Sequence, residues 1–401
     1  MSLKNLVFVA AKRTPFGAFG GTLKDFTATD LGLFASQACI KQSGIDPKEI
    51  DSTVVGNVCQ SDRDSIYIAR HIGLKLGMKE SHSSLIINRL CGSGFEAIAQ
   101  AAYRLQLENE NCILVGGAES MTRVPYVMRG ARFGYRMGHG ELEDYLSAAL
   151  VDQYVGLPMA ITAENLAEKY SFNRKMVDEY ALSSQQRAAK AWAEGRFKDE
   201  VSPVLIKSKK GDVEFAKDEH MRPEATLEAL GKLKPVFKAD GVVTAGNASG
   251  IVDGASMLIL VTEDFAKANG LKSLGTLKSF AAVGCDPKIM GIGPVPATRK
   301  CLENFKYRFQ KNISIADFKR VEVNEAFSPQ YLAVEKELGL DREKTNINGG
   351  AVSIGHPLAA SGARLVTHLL YDLAAKGGGL GLASACIGGG QGMSMIVEVN
   401  S

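Results

Sequence analysis

Cys91 stands in Asn88-Arg89-Leu90-Cys91-Gly92-Ser93-Gly94-Phe95-Glu96-Ala97, between an apolar run that reads as a strand and a run that reads as a helix. A thiol at such a junction meets unpaired backbone N–H groups and the positive end of the helix dipole, and both favour thiolate. The neighbouring glycines let backbone and substrate approach closely. The same residues also fit the loose dinucleotide pattern G-x-G-x-x-A, with Glu110 sixteen residues beyond Gly94 as a ribose ligand. Taken alone, the segment fits a catalytic cysteine, a dinucleotide loop or a plain turn equally well.

His356 lies in Asn348-Gly349-Gly350-Ala351-Val352-Ser353-Ile354-Gly355-His356-Pro357, a glycine-flanked loop stiffened by proline. His71 and His368 fall in helical patterns, and His82, His139 and His220 in polar loops, where packed or surface roles are preferred. His356 acting as base toward Cys91 satisfies the Cys–His logic of nucleophilic catalysis. A second thiol, Cys386, ends an apolar strand in Ser384-Ala385-Cys386-Ile387-Gly388-Gly389-Gly390-Gln391-Gly392. The bare backbone that follows, at Gly388 above all, is a natural place to aim N–H donors at an oxyanion; a merely buried cysteine is the alternative. Asn324, in Asn324-Glu325-Ala326-Phe327, offers an amide that could hold a water. The expectation is that all four side chains fall just after strand ends, in the crevice where α/β sheets bind ligands.

The elements that must position them alternate. Strands are expected at 6–11, 52–58, 84–88 and 112–115, with helices from 29–30, through 66–76 and after Ser93. Near-continuous apolar strands alternating with helices indicate an α/β class with a sheet covered on both faces. The two ends of the chain also share landmarks. Strands end at Asn57 and Asn88, Ser93-Gly94 opens a helix, and Gly116-Gly117 follows a strand; the later copy has Asn324, Asn348, Ser361-Gly362 and Gly388-Gly389-Gly390. The spacings, 31, 5 and 23 residues against 24, 13 and 27, describe an ordered internal duplication. Between the copies, residues 123–153 show little periodicity, 162–195 and 226–234 read as helical, and 207–212 is a polar stretch. About 120 residues of this kind read as an inserted loop domain for substrate or subunit contacts.

Composition narrows the class. With 47 basic and 44 acidic residues the net charge is +3, too small for a nucleic-acid surface. Seven cysteines, an odd number without a C-x-x-C pair, speak for reduced thiols in an intracellular compartment and against a disulfide scaffold or zinc ribbon. No run reaches the roughly 18 apolar residues of a membrane span, and residues 6–11 read as a buried strand rather than a cleaved leader.

Together, Cys91-Gly92-Ser93-Gly94, Gly246-Asn247-Ala248-Ser249-Gly250, Asn324-Glu325-Ala326-Phe327, Gly355-His356-Pro357 and Cys386-Ile387-Gly388-Gly389-Gly390 resemble the thiolase family, in order and over essentially the whole chain. Asn88-Arg89-Leu90-Cys91, Leu157-Pro158-Met159-Ala160 and Asp286-Pro287-Lys288-Ile289-Met290-Gly291-Ile292-Gly293-Pro294 resemble its mitochondrial-type 3-ketoacyl-CoA thiolase (acetyl-CoA acyltransferase) branch.

The resemblance implies a thiolase fold: two βαβαβαββ halves in five αβαβα layers, with residues 1–122 and 246–272 in the first half, 123–245 inserted, and 273–401 in the second. It implies ping-pong thiolysis of 3-ketoacyl-CoA in fatty acid β-oxidation, reversible as Claisen condensation. Cys91 is the nucleophile, His356 its base, and Cys386 the acid that protonates the acetyl-CoA enolate. One oxyanion site joins His356 to a water on Asn324; the other uses the N–H groups of Cys91 and Gly388. Coenzyme A is a co-substrate, with no tightly bound cofactor and no metal. Its contacts map to Arg222 at the phosphates, Phe237 at the adenine, and Ser249, Met159 and Phe327 along the pantetheine.

A homotetramer formed through a loop like 123–143 is implied, with no nucleic-acid or membrane partner. Placement would be soluble and intracellular, mitochondrial in a eukaryote and cytoplasmic in a bacterium. Pro158 stands where acetoacetyl-CoA thiolases, the alternative activity, carry histidine, which favours broader chain length. Ala359 replaces a usual glycine, and Ala225 lacks a hydroxyl that related enzymes use. A nicotinamide oxidoreductase would leave His356 and Cys386 without roles. An acyl-CoA carrier would not need the nucleophile, and a ketoacyl synthase pairs its cysteine with two histidines.

Overall fold

The computed structural model of the chain describes residues 3–208 and 211–400; Lys209 and Lys210 of the polar 207–212 stretch lie outside the described residues. The first run of elements is β1 (Leu6–Arg13), α1 (Ala28–Ser43), β2 (Ser52–Gly56), α2 (Ile68–Leu76), β3 (Ser83–Ile87), α3 (Ser93–Leu107) and β4 (Cys112–Glu119). A long excursion carrying α4 (Met159–Tyr170) and α5 (Arg174–Ala193) then leads to β5 (Val252–Thr262). The second run is β6 (Gly275–Gly284), α6 (Pro294–Phe309), β7 (Arg320–Val323), α7 (Ser328–Leu338), α8 (Ala351–Ile354), α9 (Leu358–Ala375), β8 (Gly379–Ile387) and β9 (Gln391–Val399).

Local chemistry sets several boundaries. Helix α1 begins where Thr27 and Asp30 cap each other reciprocally, and it ends at Gly44, whose φ of 72° suits glycine. Strands β4 and β5 are buried along their whole length, as expected of strands covered on both faces.

The strands lie in the order β3-β2-β4-β5-β1-β6-β9-β8-β7. The sequence β3-β2-β4-β5-β1 is repeated as a Thr345 bridge, β7, β8, β9 and β6, with parallel pairs at the outside and antiparallel ones inward. The two sets meet where β1 pairs antiparallel with β6 through Val7–Thr276 and Phe8–Gly275.

Three hydrophobic cores define the layers. In the middle, Phe95, Ile98 and Leu105 of α3 and Leu365, Val366 and Leu369 of α9 pack between Val54, Val115 and Leu258 of one strand set and Ala383, Met395 and Val397 of the other. On one outer face, Leu31 and Ile72 from α1 and α2 cover Val55, Leu114 and Ile259. On the other, Val295, Phe305, Tyr331 and Val334 cover Val321, Val323 and Ile396. The order is helix, sheet, helix, sheet, helix. Helices α3 and α9 cross at their paired glycines: a Cβ on Gly94 would lie 2.6 Å from Ala363 N, and one on Gly362 2.6 Å from Phe95 N. Any larger residue there forces the backbones apart.

Several expectations need correction. The strand expected to end at Asn348 is only an isolated bridge from Val321 to Thr345. Beyond it, the Asn346 side chain takes over the pairing, accepting from Val323 N at 2.9 Å and donating to Val323 O at 2.9 Å. The chain is thereby free to turn. Helix α9 begins at Leu358, not at Ser361-Gly362, because Pro357 just before it has a fixed φ suited to a helix start. The helical stretch 162–195 is broken after α4 by Ser171 in the left-handed region, and Asn173 caps α5 by accepting from Met176 N. The helix at 226–234 spans only Leu227–Gly231.

Candidate functional site

The loop carrying Cys91 is a tight turn between β3 and α3. Gly92 N–H donates to Arg89 O at 2.9 Å, the Ser93 hydroxyl donates to Leu90 O at 2.7 Å, and Arg89 N–H donates to Ser93 Oγ at 2.9 Å. Leu90 is held at φ 46°, a left-handed conformation that costs a branched side chain energy and persists only where its surroundings enforce it. The turn leaves Cys91 half-buried, with the backbone N–H groups of Gly388 and of Cys91 itself directed at its sulfur.

The expected thiolate is not what this environment favours. Burial pushes the Cys91 thiol up to about 11, against those two N–H donors. The helix begins two residues later, and Cys91 packs against the apolar cluster of Cys59, Met121, Val124, Leu146 and Leu358. Desolvation outweighs the dipole there.

His356 also departs from expectation. It follows the short helix α8, not a strand, through Gly355 at φ 97°, and its backbone N–H donates to Gly250 O at 2.9 Å. Its Nδ1 lies 2.5 Å from Ser361 Oγ and its Nε2 3.3 Å from Asn324 Nδ2. Burial, with the Arg364 charge, pushes the imidazole down to about 3, so it is neutral. Asn324 sits at the end of β7, where its N–H donates to Ser384 O at 2.8 Å. Its Oδ1 is buried without a partner, an acceptor free to take a hydrogen from water.

Cys386 lies within β8, paired with Gly392, rather than past the strand's end. It is fully buried among Met290, Ala326, Met159 and Phe327, and burial raises its thiol well above the ordinary range. Gly388 opens the turn that follows, close to Leu90 and Met159.

Residues that pattern reading did not single out hold this arrangement. Glu119, at the end of β4, accepts from the N–H groups of Cys59 at 2.9 Å, Ala359 at 3.0 Å and Val58 at 3.2 Å. Burial still raises its carboxyl to about 7. Ala359 therefore sits in an ordinary helical turn and serves through its N–H. Glu325 accepts from Tyr180 at 2.6 Å, Ser184 at 2.7 Å and Val352 N at 3.1 Å, locking the segment that leads to His356. No sequence signal marks Glu119; Glu325 lay inside a motif read only for its asparagine.

Arg222 lines a cavity of about 600 Å³ with His220, Pro223, Ala225, Leu230, Leu233 and Gly246. Its Nη1 donates to the carbonyls of Glu219, His220 and Met221, which aims the guanidinium. His220 is pushed down to about 4 by burial and by Arg222, and its ring lies against Gly250, whose carbonyl receives the N–H of His356. The cavity thus adjoins the histidine loop. Phe237 is 49% exposed on the surface, outside that lining. Ser249 donates its N–H to Ala326 O, docking the Gly246–Gly250 motif onto the Asn324 motif, while Met159 and Phe327 border Cys386.

A buried charge network ties the excursion to this frame. Arg13 in β1 donates to Glu200 at 2.7 Å and to Asp218 at 2.7 Å, and Glu200 faces His368 of α9 at 2.7 Å. No helix among the described residues is long and apolar enough to cross a membrane.

Comparison with known proteins follows the same lines. Residues 6–264 match the family model for the thiolase N-terminal domain and 271–399 that for the thiolase C-terminal domain. The chain is 50% identical over 397 residues to the mitochondrial 3-ketoacyl-CoA thiolase of Homo sapiens, covering 99% of this chain and 98% of that protein. It is 44% identical over 398 residues to the acetyl-CoA acetyltransferase of Escherichia coli (strain K12), covering 99% of each. Among solved structures, the human mitochondrial 3-ketoacyl-CoA thiolase in complex with CoA superposes with a TM-score of 0.95 at 49% identity, covering 100% of this chain and 99% of that one.

Proposed function

The chain belongs to the thiolase family, and from that membership we propose how its own residues carry out the acyl transfer. It is an acyltransferase that cleaves 3-ketoacyl-CoA with CoA, giving acetyl-CoA and an acyl-CoA two carbons shorter. The observation that carries the assignment of roles is the meeting of the two turns, with Gly388 lying against Leu90 of the Cys91 turn, so that the backbone N–H groups of Gly388 and Cys91 both act on the Cys91 sulfur.

In the first step Cys91 Sγ attacks the C3 carbonyl while its proton passes to His356 Nε2. Burial favours the neutral thiol of Cys91 and the neutral imidazole of His356, so proton transfer ahead of attack is uphill. The proton therefore leaves as the carbon–sulfur bond forms. The tetrahedral oxyanion collapses, breaking C2–C3 and releasing the acetyl-CoA enolate, which Cys386 protonates at C2. The protonated His356 and a water held by Asn324 receive the enolate oxygen.

In the second step the Cys386 thiolate takes the proton of incoming CoA, whose sulfur attacks the Cys91 thioester. The N–H groups of Cys91 and Gly388 hold the new oxyanion, and its collapse returns Cys91 as the leaving group, with the proton of His356. Two neutral thiols suit this scheme, since each must hold a proton at one stage and release it at the next.

CoA binding is assigned to the cavity at Arg222, whose guanidinium would face the phosphates, with Ser249, Met159 and Phe327 along the path to Cys91 and Phe237 at the outer rim. Residues 123–245 serve as the inserted domain that supplies Met159, Arg222 and Phe237 to these contacts. The exposed Tyr126, Phe133, Met137 and Leu142 on the 123–143 excursion support its role in a tetramer. The mitochondrial relatives support a mitochondrial placement in a eukaryotic host, and in a bacterial host the placement would be cytoplasmic.

The test separates the two cysteines. Cys91→Ala should abolish acyl-enzyme formation from labelled 3-ketoacyl-CoA, and label retained on that variant would sink the assignment. Cys386→Ala should spare acyl transfer to Cys91 from a simple acyl-CoA while crippling proton exchange at the acetyl-CoA methyl. Equal loss of both would contradict the division of labour.

A further inference from the structure

The two N–H groups assigned to the Cys91 oxyanion come from opposite halves of the chain. Cys91 follows β3, whereas Gly388 follows β8, and an oxyanion hole works only when its donors sit 2.7–3.1 Å from one point. The Cys91 side is stiff, closed by the hydrogen bonds of the 88–93 turn. The Gly388 side is a glycine hairpin whose base is the Ile387–Gln391 pair and whose far end is held by Cys285 N–H on Gly390 O at 2.7 Å; Gly389 and Gly390, at φ 76° and 78°, give it no side chains of its own to reach the Cys91 turn.

One side-chain connection spans the gap. Arg89 Nη1 donates to Gln391 Oε1 at 2.9 Å, and Arg89 Nε donates to Glu96 Oε2 at 2.8 Å. Glu96 is buried on α3, and its other oxygen accepts from Gln100 Nε2 at 2.7 Å. Among the described residues, no other side-chain hydrogen bond links the 88–93 turn to the 387–391 turn, apart from the Gly388 N–H directed at the sulfur itself. Arg89 is thus anchored to helix α3 at one end of its planar fork and holds the base of the 387–391 turn with the other.

We propose that Glu96, Arg89 and Gln391 form a strap that sets the spacing of the Cys91 and Gly388 N–H donors. These are positioning residues, which act on the reaction through the backbone they hold. The proposal rests on the reading that those donors stabilise the oxyanion on Cys91.

The experiment compares two reactions of Cys91. Acylation by acetyl-CoA passes through an oxyanion; alkylation by iodoacetamide is a direct displacement at carbon and does not. In Gln391→Leu the acylation rate and the kcat of thiolysis should fall about 10- to 100-fold, less than the 10²–10³ cost of deleting a donor outright. KM for CoA and the alkylation rate should stay within about twofold of wild type. Gln391→Glu, which offers Arg89 a carboxylate, should recover most of the loss. Arg89→Lys keeps a cation beside Glu96 without the second arm of the fork, and it supplies the same comparison if Gln391→Leu melts early.

Unaltered acylation in both Gln391→Leu and Arg89→Lys overturns the strap. So does an equal fall in acylation and alkylation, which would mean that the thiol itself had moved. A wild-type protein that forms no acyl-enzyme, or is alkylated elsewhere than at Cys91, defeats the reading of the site and not the strap.

Discussion

Ser361 Oγ lies 2.5 Å from Nδ1 of His356 and 2.9 Å from Pro357 O. A hydroxyl has one hydrogen to give. We assign that hydrogen to Pro357 O, which gives Nδ1 the imidazole proton to donate to Ser361 and leaves Nε2 with the lone pair, facing Asn324. In this assignment a helix start selects the tautomer of the base. Ser361→Ala should lower the rate of Cys91 acylation about 10- to 100-fold, a part of the 10²–10⁴ that a positioned base supplies. Single-turnover acylation by acetyl-CoA measures it, and a loss below twofold would show that the tautomer is held by something else.

The thiol and imidazole set a pH dependence of their own. An ion-paired cysteine reacts with iodoacetamide at a rate that levels off in the acid range. With burial raising Cys91 to about 11, the thiolate fraction should instead climb with each pH unit. Inactivation should accelerate steadily from pH 7 to 10, and a plateau already reached by pH 6 would contradict the buried neutral pair.

Glu200 governs acid stability. Burial works to raise its carboxyl, but His368 and Arg13 outweigh it and hold it down to about 2. A carboxyl lowered in the folded state stabilises fully above the unfolded value near 4.5, and that contribution is lost as pH falls through about 2. Glu200→Gln, which leaves Arg13 with one of its two carboxylate partners, should destabilise by about 3 kcal/mol at neutral pH. The gap to wild type should close in denaturant melts taken toward pH 2. A constant gap at all pH values would mean that packing, not charge, was lost.

At the crossing of α3 and α9 there is no room for a methyl group. Gly94→Ala and Gly362→Ala should each cost about 1–3 kcal/mol, or more where helix backbones must separate. Thermal melts would show it, and because Ser93 and Ser361 lie beside these positions, activity should fall as well.

Much of this was legible in the sequence where a local rule acts alone. The strand and helix alternation of the first half, the Cys91 turn and the glycines after Cys386 follow from apolar runs and from glycine. The rhyme of Ser93-Gly94 with Ser361-Gly362 was visible too: Ser93 does open α3, whereas Ser361 falls inside α9, and what the two share is the helix crossing. What escaped was set by distant partners. Asn346 replaces a strand's backbone with its side chain, so an expected strand disappears. The protonation of Cys91 and His356 depends on how deeply other elements bury them, which no local pattern records. Glu119 and Glu325 are ordinary acids in the sequence and become anchors only once loops from four segments close around them.

The helices that meet at Gly94 and Gly362 are each other's counterparts, and each strand set repeats the other's order. Two copies that bury the same face against each other across a twofold form an isologous contact, the geometry of a homodimer. In the present chain the same contact is made within one polypeptide, with the nucleophile Cys91 in the first strand set and His356 and Cys386 in the second. Neither half retains a complete set of reactive groups, and neither can cover its central helix alone, so the two should be inherited, folded and lost as one.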